Sequence, residues 1–153
     1  MARYRNALPQ LSGGIFLNDA GLETDIIFNK EVEIREFAAH TLLPDPAGRN
    51  VLKTYFREFL SLANAKSAGF ILDCPTWKAH MHWAGDLKAT EEDIKQANLE
   101  AVAFAARLRE EFSSNKQPII INALIGPRGD AYAPDVDIAA AEAEAYHALQ
   151  ISW

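Results

Sequence analysis

The chain has 153 residues, of which 49% are apolar and 24% charged, and a formal net charge of −6; this suits one ordinary globular domain. Its 15 Lys and Arg residues, against 21 Asp and Glu residues, form no basic stripe, so the chain is a poor candidate for binding nucleic acid or an anionic membrane. Its apolar runs are too short to span a bilayer, and its start lacks the apolar segment of a secretory signal. Because the single cysteine, Cys74, cannot form an internal disulfide, we expect a cytoplasmic protein.

Three short apolar runs are predicted to be buried strands. After an irregular lead-in over residues 1–13, they fall near residues 15–18, 70–74 and 119–125. Each run is followed by a segment with apolar residues at helical spacing. Such alternation implies parallel strands joined by right-handed crossovers. The predicted fold class is therefore α/β, with about three parallel βα units.

The predicted helices carry typical end signals. Asp45 and Pro46 suit the N-cap and first position of one helix, and Gly69 suits its left-handed end. Thr90-Glu91-Glu92-Asp93 is an approximate capping box for the next helix, which closes at residues 113–115. Asp137 can cap the last helix. The predicted buried faces of the last two helices consist of Ile94, Ala97, Ala101, Ala105, Leu108 and Phe112, and of Ile138, Ala141, Ala145 and Leu149.

Asp19 is the first candidate functional residue. It directly follows the first predicted strand, and the carboxyl ends of parallel strands are where α/β proteins bind ligands. A carboxylate there can hold a substrate ammonium group, and Gly21 behind it lets a ligand approach the backbone. The alternative is that Asp19 caps the next turn.

The other strand ends also carry candidate residues. Thr76 follows the second strand, whereas Cys74 is interpreted as a small buried side chain. The Gly126–Gly129 loop after the third strand offers backbone N–H groups but lacks the lysine of a phosphate-binding loop. His80 and His82 form a His-x-His pair that can bind metal on a strand, but this pair falls in a predicted loop, where a solvated role is favoured.

Four motifs in order resemble those of the homocysteine S-methyltransferase family, from about Gly14 to Ile151. The family's first turn is Asp-Gly-Gly or Asp-Gly-Ala, its second strand ends in Thr-x-Thr-aromatic, its third ends in Gly-Pro-x-Gly, and the next helix often carries Tyr-His-x-x-Gln. The matching segments are Asp19-Ala20-Gly21-Leu22-Glu23-Thr24, Cys74-Pro75-Thr76-Trp77, Gly126-Pro127-Arg128-Gly129 and Tyr146-His147-Ala148-Leu149-Gln150. In the second of these, cysteine replaces the family's first threonine.

The resemblance implies the N-terminal portion of a (β/α)8 barrel that transfers a methyl group to the thiol of homocysteine, giving methionine. A complete barrel needs ~250 residues, so residues 1–153 are interpreted as an incomplete homocysteine-binding domain. The resemblance also implies zinc in the complete enzyme, held by three cysteines on later strands, with Cys74 at none of those positions. We therefore expect no zinc on this chain, no catalytic residue in it, and no activity of the chain alone. The substrate-binding positions that it implies are Asp19, Gly21, Glu23, Thr76 and Gly126.

Two other interpretations of the chain stay open. The first is a non-catalytic binding or assembly module that pairs, through an exposed sheet edge, with another copy of the chain or with a complementary fragment. The second is a small doubly wound α/β domain, for which the strand order should reverse. The methyl donor also stays open, because betaine, S-methylmethionine, S-adenosylmethionine and folates all serve in families of this kind.

Overall fold

The computed structural model describes residues 3–4, 6–112, 117–132 and 138–153. Within these ranges the strands are β1 (Phe16–Asn18), β2 (Gly69–Cys74) and β3 (Ile119–Ala123). The helices are α1 (Leu22–Phe28), α2 (Pro46–Ala65), α3 (Ala84–Leu87), α4 (Glu91–Glu111) and α5 (Ala140–Ser152). Short 3₁₀ turns precede β1 and lie between some of the later elements. None of the helices in the described part of the chain has both the length and the apolar character that crossing a membrane requires.

The three strands form one parallel sheet in the order β1-β2-β3. Leu17 pairs with Phe70, and Phe70 pairs with Ile119. The prediction of three parallel βα units is confirmed, although β3 ends at Ala123 rather than at residue 125. The order shows no reversal among the described strands, which is the feature that a doubly wound sheet would need.

One face of the sheet packs under α2 and α4. Phe70, Leu72 and Cys74 of β2 point into this core, and no more than 1% of each is exposed. Side chains alternate along a strand, so Ile71 and Asp73 point to the opposite face. In a closed barrel that opposite face would be the interior. The helical residues of the core are Leu52, Tyr55, Phe56, Leu60 and Ala63 of α2 and Ala101, Phe104, Ala105 and Leu108 of α4.

The predicted start of α2 is confirmed, but its predicted end is wrong. The Asp45 carboxylate accepts a hydrogen bond from the Gly48 amide at 2.7 Å, and Pro46 occupies the first turn. The helix ends at Ala65, and Ser67, not Gly69, takes the left-handed backbone conformation with φ 55°. Gly69 instead begins β2, where any side chain would overlap the ring of Phe16. This glycine is needed for a close approach between neighbouring strands, and not for a helix cap.

The later helices also differ in part from their predictions. The capping box of α4 is present, since Thr90 and Asp93 exchange hydrogen bonds through backbone and side chain. The predicted closing residues 113–115 and the predicted cap Asp137 lie outside the described residues. In α5 the buried residue is Gln150, whereas Ala141 and Ala145 of the predicted face are exposed. Helix α1 is absent from the prediction, because seven residues are too few to show a helical period.

Candidate substrate-binding site at the strand ends

A cavity of about 170 Å³ lies at the carboxyl ends of β1 and β2. Three carboxylates line it, those of Asp19, Glu23 and Asp73, and none of its lining residues is basic. Trp77 and Leu124 contribute apolar surface from the loops after β2 and β3. The full lining consists of Asp19, Gly21, Leu22, Glu23, Phe56, Asp73, Cys74, Pro75, Trp77 and Leu124. An acidic cavity of this kind suits a small ligand that carries a positive charge.

Asp19 is held by a tyrosine from the neighbouring helix. The Tyr55 hydroxyl on α2 lies 3.0 Å from Asp19 Oδ2 and 2.9 Å from the carbonyl oxygen of Ala20. Asp19 Oδ1 is buried and has no hydrogen-bond partner among the described residues. Burial raises the pKa of the Asp19 carboxyl and the nearby Asp73 charge raises it further, while the bond from Tyr55 opposes this rise. The site therefore contains a desolvated carboxylate with one unpaired oxygen.

Gly21 and Glu23 follow Asp19 along the chain and line the same cavity. Gly21 has φ 64° and precedes the first residue of α1, so its left-handed conformation lets the chain turn from the strand end into the helix. Glu23 lies in the first turn of that helix. Burial raises the pKa of the Glu23 carboxyl, and the Asp19 charge adds to the rise. The structure thus brings together three of the five substrate-binding residues expected from the sequence.

Asp73 is a site residue that sequence reasoning missed. Its Oδ2 accepts a hydrogen bond from Asn18 Nδ2 at 3.1 Å, and its Oδ1 accepts one from Asn122 Nδ2 at 2.6 Å. One side chain from each strand thus forms a polar row across the face of the sheet opposite the helices. The sequence contained a signal for this residue. Asp73 lies between Leu72 and Cys74 at the end of an apolar strand, so if these two side chains face the core, the Asp73 carboxylate must lie on the opposite face of the sheet.

Thr76 lies beside the cavity but does not line it. Its side chain is buried, and its hydroxyl donates to the Leu124 carbonyl at 2.8 Å and accepts from the Leu124 amide at 3.0 Å. Gln150 of α5 donates to the Thr76 carbonyl at 3.0 Å and to the Asn98 side chain at 3.1 Å. Thr76 therefore holds the loop after β2 against the loop after β3. The loop after β3 places Leu124 at the cavity.

Gly126 also contacts a residue of the cavity wall without lining the cavity itself. A Cβ atom at this position would lie 2.7 Å from Cδ1 of the Trp77 ring, so the loop after β3 packs directly on Trp77. Trp77 lines the cavity, whereas Gly126 does not. The structure thus places Thr76 and Gly126 behind the cavity wall and not in it.

The residues present do not fit the zinc site that the family resemblance implies. Cys74 faces the core, is 0% exposed, and burial raises the pKa of its thiol to about 12; metals bind the thiolate form. His80 is buried, its Nδ1 is paired with the Tyr146 hydroxyl, and burial lowers its pKa to about 4. Within residues 3–4, 6–112, 117–132 and 138–153, no three or more His, Cys, Asp or Glu side chains are grouped in a way that could hold a metal ion.

A larger cavity of about 320 Å³ lies between the turn at residues 39–42 and the first half of α4. His40, Leu43 and Ile94 form part of its wall. It contains none of the residues expected at the substrate site. We therefore place the candidate site in the smaller cavity, where the carboxylates and the strand ends meet.

Comparisons with known proteins agree with this fold. The profile of the homocysteine S-methyltransferase family matches residues 16–153. The crystal structure of the homocysteine methyltransferase MmuM from Escherichia coli, in its metallated form, is similar with a TM-score of 0.68 and 16% sequence identity. The similarity covers 95% of this chain and 52% of that one, so this chain spans about half of the MmuM barrel. A search of curated proteins found no match. Because the family profile matches most of its length, the chain belongs to the homocysteine S-methyltransferase family.

Proposed function

We propose that this chain supplies the amino-acid-binding part of an enzyme that transfers a methyl group to the thiol of homocysteine, giving methionine. Membership of the family supports the reaction class. The observation that carries the binding role is the position of Asp19, a buried carboxylate with an unpaired oxygen at the end of β1. A substrate ammonium group would give that oxygen the charged partner that it lacks.

The other residues divide into those that line the site and those that shape it. Gly21 gives a ligand close access to the backbone, and Glu23 adds negative charge to the same cavity. Thr76 and Gly126 contribute by fixing the positions of Leu124 and Trp77. Homocysteine and a methyl donor are the proposed substrates of the complete enzyme, and zinc its proposed cofactor. For this chain we propose only substrate binding, since its described residues do not fit a metal site.

Isothermal titration of the 153-residue chain with homocysteine tests this role directly. We expect Asp19→Asn to weaken binding tenfold or more, because losing the charged partner of a buried ion typically costs about 2–5 kcal/mol. Asp86→Asn is the matched control, since this exposed aspartate lies on α3 and does not line the cavity. Equal affinities for the two variants would leave Asp19 as a turn residue, and absence of binding by the unmodified chain would contradict the proposed function.

A second candidate function is a binding or assembly module. Among the described strands, β1 and β3 are the two edges of the sheet, and each pairs with β2 alone. Unpaired strand edges are templates for pairing with another chain. Homocysteine binding that depends on Asp19 would favour the first function, whereas self-association without such binding would favour the second.

A further inference from the structure

We infer that Tyr55 is a positioning residue that keeps the Asp19 carboxylate oriented and ionised for its ligand. This role rests on the proposed function of Asp19 and extends it to a residue outside the family motifs described above. Tyr55 lies in the middle of α2, 36 residues along the chain from Asp19. Its hydroxyl extends from the helix layer to the turn after β1, which carries the Asp19 carboxylate.

The contacts of Tyr55 fix both the side chain and the turn. The residue is 1% exposed, and its ring packs against Phe56 and Phe59 at centroid distances of 5.2 and 5.0 Å. The hydroxyl has a single proton to donate, and it lies between Asp19 Oδ2 and the Ala20 carbonyl, at 3.0 and 2.9 Å. A rigid donor placed between two successive residues sets the position of the backbone as well as that of the carboxylate.

The electrostatics around Asp19 explain why such a donor is needed. Glu23 on α1 and Asp73 on β2 are the other carboxylates of the cavity. The negative charge of each disfavours the ionised form of Asp19. Asp25 on α1 adds its charge near Tyr55. Lys78 carries a positive charge that favours the ionised form of Glu23, and its ammonium group lies over the Trp83 ring and donates to the Glu36 carbonyl. A hydrogen bond to the ionised form of Asp19 therefore counteracts burial and repulsion together.

Carboxyl ¹³C NMR titration of the 153-residue chain tests the role of Tyr55, with the Asp19 signal assigned by its loss in Asp19→Asn. In Tyr55→Phe we expect the Asp19 midpoint to rise by about one pH unit, since two or three hydrogen bonds to a carboxylate lower its pKa by about two. Because the ligand needs the ionised form, affinity for homocysteine should then be lost at a higher pH as the solution is acidified. Tyr146→Phe is the matched control, because that hydroxyl contacts His80 and His82 instead.

A second measurement needs no substitution at Tyr55 and covers the case in which Tyr55→Phe fails to fold. Protonation of Asp19 weakens its bond to Tyr55, so the ¹³Cζ signal of Tyr55 in the unmodified chain should shift with the same midpoint as Asp19. An unchanged Asp19 midpoint in folded Tyr55→Phe, or a Tyr55 signal that does not follow Asp19, would overturn the inference. If homocysteine fails to bind while both titrations behave as expected, the proposed function fails and the coupling of Tyr55 to Asp19 stands.

Discussion

The hydroxyl of Thr76 makes two hydrogen bonds to the backbone of Leu124, 48 residues further along the chain. These two bonds replace the backbone hydrogen bonds that would otherwise continue the pairing of β2 with β3 beyond its last paired residues, Cys74 and Ala123. The strands thus stay together where their loops begin to diverge. The geometry of the cavity depends on this connection, because Leu124 forms part of its wall.

Replacing Thr76 by valine should therefore destabilise the chain. Valine keeps the shape of threonine but leaves the partly buried amide and carbonyl of Leu124 without their partner, at a typical cost of about 1 kcal/mol or more. Urea unfolding followed by circular dichroism measures the change. Thr54→Val on the exposed side of α2 is the control and should change the free energy of unfolding by less than about 0.5 kcal/mol. Equal stability of the two variants would mean that the Thr76 bonds contribute nothing.

Gly69→Ala should be more damaging than its conservative appearance suggests. The added methyl group would overlap the Phe16 ring between β1 and β2, and overpacking of this kind typically costs about 1–3 kcal/mol. Gly85→Ala provides the comparison, because no atom lies within 4 Å of a Cβ built there. We expect a lower thermal midpoint for the first variant and an equal or higher midpoint for the second. The reverse order would contradict the close packing of β1 against β2.

We expect the purified 153-residue chain to bind no stoichiometric zinc and to form no methionine above background. The reason is chemical, since a catalytic zinc site needs three protein ligands, and Cys74 is held in the core as a neutral thiol. Metal analysis by mass spectrometry, with Cys74→Ala analysed in parallel, checks the metal content, and a methionine assay checks the activity. One tightly held zinc per chain would contradict this expectation, particularly if Cys74→Ala released it.

Self-association of the chain is the fourth expectation. β3 begins with the apolar run Ile119-Ile120-Ile121, and its second edge is unpaired among the described residues. An apolar strand edge pairs readily with another chain. Light scattering after size exclusion, over a range of protein concentrations, should give a mass that rises with concentration. A single monomeric mass with a sharp thermal transition would mean that the three βα units form a self-sufficient domain.

The repeating βα pattern and the approximate positions of the three strands could be predicted from the sequence alone, although β3 ends at Ala123 and not at residue 125. Apolar runs and capping residues are local signals, so the capping box at Thr90 and the N-cap at Asp45 were predicted correctly. The motif at Asp19, Gly21 and Glu23 was found for the same reason, since its residues are neighbours in the chain and line one cavity.

The side chains that complete the site are set by contacts between residues that lie far apart in the chain. Tyr55 comes from α2 and Asp73 from β2, and no local spacing connects either residue to Asp19. The same limit explains the error at Gly69, where a glycine that resembles a helix cap is required by the ring of Phe16 on the adjacent strand. The type of a residue can indicate that its position is closely packed, polar or buried. The packing of the strands and helices determines which distant atoms surround that position.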